Sequence, residues 1–154
     1  MSCVGCEEKR FNFMKKVEQK KYMVKKRKAL LKIWSTHVRL RDKECQICGR
    51  TERLQAHHLF SKQFYKALRY DITNGITVCA SCHRFKGVTD EGSFHHSIIP
   101  IIELYKRKKK EIDYLIENHM NEINLDSLET LQDLELCIRR GNGYWLDKKE
   151  KDDE

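Results

Sequence analysis

The sequence predicts an α+β protein with a small centre of two strands and a short helix, flanked by an N-terminal basic helix and by C-terminal helices. Three observations predict this fold class. Residues 8–41 contain neither glycine nor proline and repeat apolar side chains at mostly helical spacing. Residues 45–87 carry two Cys-x-x-Cys pairs around two short runs of β type, and residues 98–138 return to helical spacing.

The segment before the centre is a basic helical arm, residues 1–41. Its apolar side chains lie between lysines at intervals typical of one helical face, and they fit one long helix or two shorter ones. The residues concerned are Phe13, Met14, Val17, Met23, Val24, Leu30, Leu31, Trp34 and Val38.

The centre, residues 42–97, contains two short strands followed by a helix. The strands are expected at Leu54–Leu59 and Ile76–Cys79, with Asn74-Gly75 as a turn signal before the second. A helix from about Ala80 to Lys86 follows, and the next residue is a glycine that stops it.

The C-terminal appendage, residues 98–146, is expected to hold two helices. Pro100 fits the first turn of an amphipathic helix, and Asp126-Ser127 with Glu129 predicts the N-terminal cap of the last helix. Gly141 to Gly143 ends that helix, and residues 147–154 form a charged tail expected to be disordered. The apolar positions of the first helix are Ile98, Ile101, Ile102, Tyr105, Ile112, Leu115, Ile116, Met120 and Ile123.

The charge is concentrated in the arm. The 154 residues include 31 Lys and Arg against 23 Asp and Glu, a formal charge of +8. Residues 1–44 carry 14 basic and 5 acidic side chains, whereas residues 98–154 carry 10 and 14. A basic arm suits a polyanion such as nucleic acid, but a run such as Lys25–Lys28 is equally typical of a solvated helix face.

No apolar run is long enough to cross a bilayer, so no membrane association is expected. The N-terminus lacks the apolar stretch and the cleavage site of a signal peptide. We therefore expect a reducing cytoplasm. In such a compartment, paired cysteines indicate metal binding rather than disulfides.

Four of the seven cysteines form two knuckles, Cys45/Cys48 and Cys79/Cys82, about thirty residues apart. Each knuckle offers two thiolates to one tetrahedral ion, which predicts a structural zinc. Redox pairs are the weaker alternative, because neither knuckle lies in a thioredoxin-like context. Cys3/Cys6 would need Cys137 or a histidine to bind a second zinc, and otherwise they are exposed thiols.

Three histidines lie within the cysteine frame: His57, His58 and His83. Neighbours in a strand point to opposite faces, so His57 and His58 cannot both enter one core, and each needs a polar partner. His83 directly follows a zinc-ligand cysteine, so the zinc site is expected to fix the direction in which the His83 side chain projects. The three imidazoles are therefore expected to converge near one cleft.

Residues 45–87 resemble the HNH endonuclease family, whose ββα-metal motif is a hairpin and a helix around a catalytic divalent cation. The resemblance implies that His58 is the general base, that His57 and His83 bind the catalytic metal, and that Asn74 braces the loop. The residues that carry it are Cys45, Cys48, His57, His58, Asn74, Cys79, Cys82, His83, Lys86 and Gly87.

The resemblance extends to phage HNH proteins, including recombination proteins, through two segments that flank the first strand. These are Trp34 to Asp42 and Leu68 to Asp71. Many family members have aspartate where His57 stands, and imidazole ligands favour softer ions than Mg2+. Mn2+, Ni2+, Co2+ and Zn2+ are therefore expected to compete with Mg2+. If a phage encodes the protein, the expected cytoplasm is that of its host cell. The pair His95-His96 is a candidate for a further ligand or an exposed loop pair.

The sequence thus indicates a metal-dependent DNA endonuclease, a phosphodiester hydrolase, of homing, packaging or recombination type. The alternative is a non-catalytic zinc-containing nucleic-acid-binding protein. Nicking or double-strand cleavage, the DNA specificity and the oligomeric state stay open. The expected DNA-binding residues are Arg84, Lys86, Lys25, Lys26, Arg27 and Lys28.

Overall fold

The computed structural model describes residues 4–84, 104 and 106–145. Within these residues, two helices precede the centre and two follow it, in agreement with the sequence. The elements in chain order are α1 (Val4–Asn12), α2 (Lys16–Asp42), β1 (Leu54–His58), β2 (Gly75–Cys79), α3 (Ala80–Arg84), α4 (Lys109–Asn118) and α5 (Leu128–Arg140). Two short 3-10 turns, Lys66–Leu68 and Ile72–Asn74, connect the strands.

The basic arm forms two helices. The chain breaks between Asn12 and Lys16, where Lys15 is extended and its N–H donates to the Glu18 carboxylate at 3.2 Å. That bond satisfies one of the amide groups that a helix start leaves without an intrahelical partner. Helix α2 then runs for 27 residues and ends at Asp42, after which Lys43 adopts a left-handed conformation.

The two strands pair antiparallel, with Leu54 opposite Cys79 and His58 opposite Gly75. Gly75 has a φ of −103°, so its glycine is not needed for a left-handed turn. It is needed because α2 lies against the strand: a Cβ at this position would be 2.3 Å from Val38 Cγ2 and 2.9 Å from Trp34 Cζ2. The asparagine–glycine pair therefore marks a close helix–sheet contact.

One hydrophobic core draws side chains from the arm, from the connection between the strands and from the last helix. It binds α2 to α5 and to the segment before β2, so that the helices hold the hairpin in place. Its buried members are Met23, Leu30, Trp34, Val38, Tyr70, Ile72, Leu125, Leu128, Leu131, Leu134, Cys137, Ile138 and Tyr144.

The C-terminal helices differ in how closely they follow the prediction. Helix α5 has the expected caps, with Ser127 accepting from the Thr130 amide at 3.3 Å and Gly141 left-handed at φ 79°. Helix α4 ends at Asn118, so Ile123 lies beyond the helix expected to include it. The Asn118 carbonyl accepts from the Asn121 amide at 3.2 Å in a turn that closes the helix. Residues 98–103 and the tail 147–154 lie outside the described residues.

Candidate metal centre and active site

The four cysteines of the two knuckles come together at one end of the hairpin. Their Sγ atoms all lie within 4.8 Å of one another, and the Sγ atoms of Cys48 and Cys79 are 3.7 Å apart. Two sulfurs bound 2.3 Å from a tetrahedral zinc would be about 3.8 Å apart. The cluster is therefore a possible metal site whose geometry and thiol ligands are consistent with structural zinc.

The backbone around the first knuckle folds back on itself. The Gly49 amide donates to the Cys45 carbonyl at 2.8 Å, and Gly49 is left-handed, at φ 73°. The Cys82 amide donates to Cys79 Sγ at 3.4 Å. Burial raises the pKa of Cys79, but this amide and the neighbouring thiols outweigh burial and lower its pKa to about 7. The thiolate, which is the form that binds metal, is thereby favoured at Cys79, whereas burial raises the pKa of Cys48 and Cys82.

His57 and His83 face each other across β1 and α3. His57 Nδ1 and His83 Nε2 are 2.9 Å apart, and the rings meet edge to face. Gln55, two residues before His57 on the same face of β1, accepts from His83 Nδ1 at 2.8 Å. Because Nδ1 of His83 carries the proton for that bond, its Nε2 presents a lone pair towards His57.

The facing nitrogens of His57 and His83 fit a divalent cation. Two neighbouring ligands bound 2.0–2.1 Å from an octahedral ion are separated by about 2.9 Å. Among the described residues, only the four cysteines form a larger group of metal-ligating side chains, so in this part of the chain the histidines are a pair. Other ligands would come from water, substrate or residues outside this range.

His58 points to the other face of the strand, against α2. Its ring is stacked on the Trp34 indole, and its Nε2–H donates to the Arg69 carbonyl at 2.9 Å. Burial lowers the pKa of His58 from 6.5 to about 4, with smaller contributions from the positive charges of Lys62 and Arg69. At neutral pH the ring is uncharged, and its Nδ1 is a proton acceptor.

Asn74 is fully buried and ties the loop after β1 to the segment before β2. Its Oδ1 accepts from the Phe60 amide at 2.7 Å, and its Nδ2 donates to the carbonyls of Phe60 at 3.0 Å and Leu68 at 2.9 Å. All three bonds are made to backbone groups close to His58 and Arg69. The side chain is therefore placed as a brace for the loop.

Asp71 links this loop to the C-terminal helices. Its carboxylate accepts from the Tyr114 hydroxyl at 2.7 Å and from the Tyr144 amide at 2.9 Å, and its carbonyl accepts from Trp34 Nε1 at 2.8 Å. Burial raises the pKa of Asp71, although these hydrogen bonds oppose the shift. The same residue thus contacts α2, α4 and the chain after α5.

The basic side chains predicted to bind DNA divide into two groups. Lys25 and Lys28 are exposed on α2. Lys26 lies 3.0 Å from Glu7 and 3.5 Å from Glu135, while Arg27 pairs with Asp126 and donates to the Leu125 carbonyl at 3.1 Å. Lys26 and Arg27 therefore have partners within the fold.

Several residues singled out in the sequence cannot be placed. Arg84 ends α3, but its side chain lies outside the described residues, as do Lys86, His95, His96 and Cys3. Cys6 is exposed on α1, and Cys137 is buried on α5. The structure brings His57 together with His83, and it brings the four knuckle cysteines together. The expected convergence of all three imidazoles is not observed, because strand alternation places His58 on the opposite face of β1, against Trp34.

Three contributors to the site were not assigned a site role from sequence. Gln55 supports His83, the Arg69 carbonyl orients His58, and Trp34 stacks on His58. The sequence marks Trp34 only as an apolar position of the arm and as the start of the segment similar to phage HNH proteins. Strand alternation places Gln55 on the face of His57 and was a usable signal. Nothing in the sequence marks one carbonyl in a loop.

A two-stranded hairpin with a following helix and a four-cysteine cluster defines a ββα-metal type of module. The model of the HNH endonuclease family matches residues 45–89. This match confirms, for residues 45–89, the resemblance inferred from the sequence. No curated protein and no solved structure matches the chain. No helix in the described part of the chain is long and apolar enough to span a membrane.

Proposed function

We propose that this protein is a metal-dependent HNH endonuclease that hydrolyses phosphodiester bonds in DNA. The observation that carries the proposal is the 2.9 Å approach of His57 Nδ1 to His83 Nε2 inside the segment that matches the HNH family. A pair of converging imidazoles beside a zinc knuckle is a natural place for a second, catalytic ion.

His57 and His83 would hold the divalent cation, and Mg2+, Mn2+ or Ni2+ is the candidate. When bound, such an ion stabilises the negative charge that develops on the phosphate and on the leaving oxygen. Gln55 keeps His83 in the tautomer whose Nε2 is a ligand. Two neutral imidazoles favour Mn2+ or Ni2+ over Mg2+ on ligand type.

His58, the last residue of β1, would act as the general base from the face of the strand opposite to His57 and His83. Its Nε2 proton is committed to the Arg69 carbonyl, so Nδ1 is the atom that takes a proton from the attacking water. Stacking on Trp34 limits rotation of the ring. Asn74 contributes no proton, and instead it holds the loop that carries the Arg69 carbonyl.

The four cysteines would hold a structural zinc that stabilises the hairpin ends. Cysteines that bind metal and form no disulfide with one another are typical of a reducing cytoplasm. The phage-type role, whether homing, packaging or recombination, rests on the sequence resemblance alone. Lys25, Lys26, Arg27, Lys28, Arg84 and Lys86 are the proposed DNA contacts, of which Lys25 and Lys28 have the exposed side chains this requires.

The alternative, a non-catalytic zinc-containing nucleic-acid-binding protein, accounts for the cysteines and the charge. It gives no reason for a pair of facing histidines or for a family match to endonucleases. We therefore favour the enzyme.

Nicking of supercoiled plasmid tests the proposal. Purified zinc-loaded protein is assayed without added metal and then with Mg2+, Mn2+ or Ni2+, beside His58→Ala and a matched histidine control, His37→Ala on α2. The expected result is metal-dependent nicking by the wild type and the control that His58→Ala loses. If wild type and His58→Ala are equally inert with every ion while both bind DNA, the binding-protein alternative is the better account.

A further inference from the structure

Helix α2 presents a row of four exposed lysines, two of which, Lys25 and Lys28, are among the proposed DNA contacts. Lys21, Lys25, Lys28 and Lys32 are all exposed, and we call them the lysine face. No acidic residue interrupts α2 from Gln19 to Arg41. Over about 17 Å, the length of some five base pairs, the row presents only positive charge.

The lysine face points away from the body of the protein. At 100° per residue, its members are turned by about 120–180° from Trp34, which packs into the core. The side of α2 that carries Trp34 is covered by the hairpin and by α5, and Glu135 of α5 pairs with Lys26. Lys21 to Lys32 therefore lie on the outer side of the helix.

The candidate metal site lies on the other side of the sheet from α2. His58 contacts Trp34, whereas Gln55 and His57 point to the opposite face and meet His83 of α3. Helix α2 and the hairpin thus separate the lysine face from the His57–His83 pair. Their combined thickness is on the order of 15–20 Å.

We propose that the lysine face binds the phosphate backbone of a second duplex DNA segment, distinct from the segment held at the His57–His83 pair. A straight duplex cannot touch both sides of this layer, and bending a short duplex around it costs several kcal/mol. Two segments, such as two arms of a branched DNA or two separate duplexes, meet both sides without that cost. The inference rests on the proposed function only for the identity of the first segment.

The test compares two variants with the same loss of charge. The lysine-face variant carries Lys21→Gln, Lys25→Gln, Lys28→Gln and Lys32→Gln, and the control variant carries Lys9→Gln, Lys16→Gln, Lys20→Gln and Lys110→Gln. A duplex of about 12 base pairs, long enough to cover the lysine face once, is titrated into zinc-loaded protein without other divalent cations. Sedimentation velocity gives the number of duplexes bound per chain, and the titration is repeated over a range of salt.

The expected result is two duplexes per chain for the wild type and the control variant, and one for the lysine-face variant. In the wild type, log K for the second duplex should fall with log salt at a slope of up to about −3.6, the value for four phosphate contacts. In the lysine-face variant, both the second binding event and its salt dependence should be lost.

One duplex per chain for the wild type, or equal losses in both variants, would overturn the inference. Binding of the lysine face to phosphatidylserine vesicles but not to the duplex would overturn it as well. Cleavage by the wild type tests the proposed function separately. If the wild type binds two duplexes but cleaves none, and the lysine-face variant binds one, this inference holds and the proposed nuclease activity is contradicted.

Discussion

The imidazole of His58 lies flat on the indole of Trp34, with ring centroids 3.8 Å apart and ring planes 12° from parallel. Trp34 is held in turn by the bond from its Nε1 to the Asp71 carbonyl. The proposed base therefore rests on a side chain of α2, outside the segment that matches the HNH family. The long helix before the motif therefore forms part of the wall of the proposed active site.

Replacing Trp34 separates its packing from its hydrogen bond. Trp34→Phe keeps an aromatic ring under His58 and should lower the free energy of unfolding mainly by the lost hydrogen bond, about 0.5–1.5 kcal/mol. Trp34→Ala removes a buried aromatic side chain and should cost about 3–5 kcal/mol. Urea unfolding followed by far-UV circular dichroism measures both. Phe64→Ala, at a side chain that is 81% exposed, is the control and should change little.

Gln55 should control the divalent-metal affinity of the His57–His83 pair. Gln55→Ala removes the acceptor of the His83 Nδ1 proton and should weaken Mn2+ binding by about 10–100-fold. Gln55→Glu supplies a carboxylate acceptor and should bind Mn2+ at least as tightly as the wild type. Calorimetric titration of zinc-loaded protein measures these affinities, with Gln63→Ala as the control. Equal affinities in all four proteins would show that His83 needs no such support.

Asn74 should hold the loop after β1 through its three backbone bonds. Asn74→Ala leaves two carbonyls and one amide without this partner and should cost about 2–4 kcal/mol of stability. Hydrogen exchange at the Phe60 amide should accelerate by more than at amides of α5, since that amide loses its acceptor directly. An unchanged Phe60 exchange rate would contradict the bracing role.

Removal of zinc should unfold the hairpin end. The described part of the centre has two short strands of five residues each, so metal binding is expected to supply much of its folding free energy. Cys48→Ser, or a strong chelator on the wild type, should lower the melting temperature sharply and release one zinc per chain. Cys6→Ser on α1 is the control and should leave zinc content and melting temperature unchanged. A fully folded, zinc-free wild type would contradict the structural role.

The sequence predicted the α+β fold class, both strands to within a residue and the caps of α5, because these depend on local chemistry. The turn at Ser127 and the left-handed Gly141 are local features of this kind. It also predicted the cysteine cluster, since the spacing of two knuckles already specifies a tetrahedral site.

What the sequence could not predict arises from contacts between distant segments. The stacking of His58 on Trp34 joins residues 24 positions apart. The bond to the Arg69 carbonyl involves a backbone group, which no residue type marks. The sequence predicts an ordinary turn at Asn74-Gly75 and gives no sign that Val38 lies against Gly75. Likewise, the run Lys25–Lys28 looks uniform in sequence, whereas helical geometry turns Lys26 inwards to Glu7 and leaves Lys25 exposed.

The most direct test of the central claim is the rate of Mn2+-dependent plasmid cleavage by the wild type, His57→Ala and His83→Ala, with zinc content and folding checked for each. If these two histidines hold the catalytic ion, both variants should lose cleavage by at least about 100-fold, and raising the Mn2+ concentration should partly restore it. Full cleavage by both folded, zinc-loaded variants at low Mn2+ would contradict the assignment of the His57–His83 pair as the catalytic metal site.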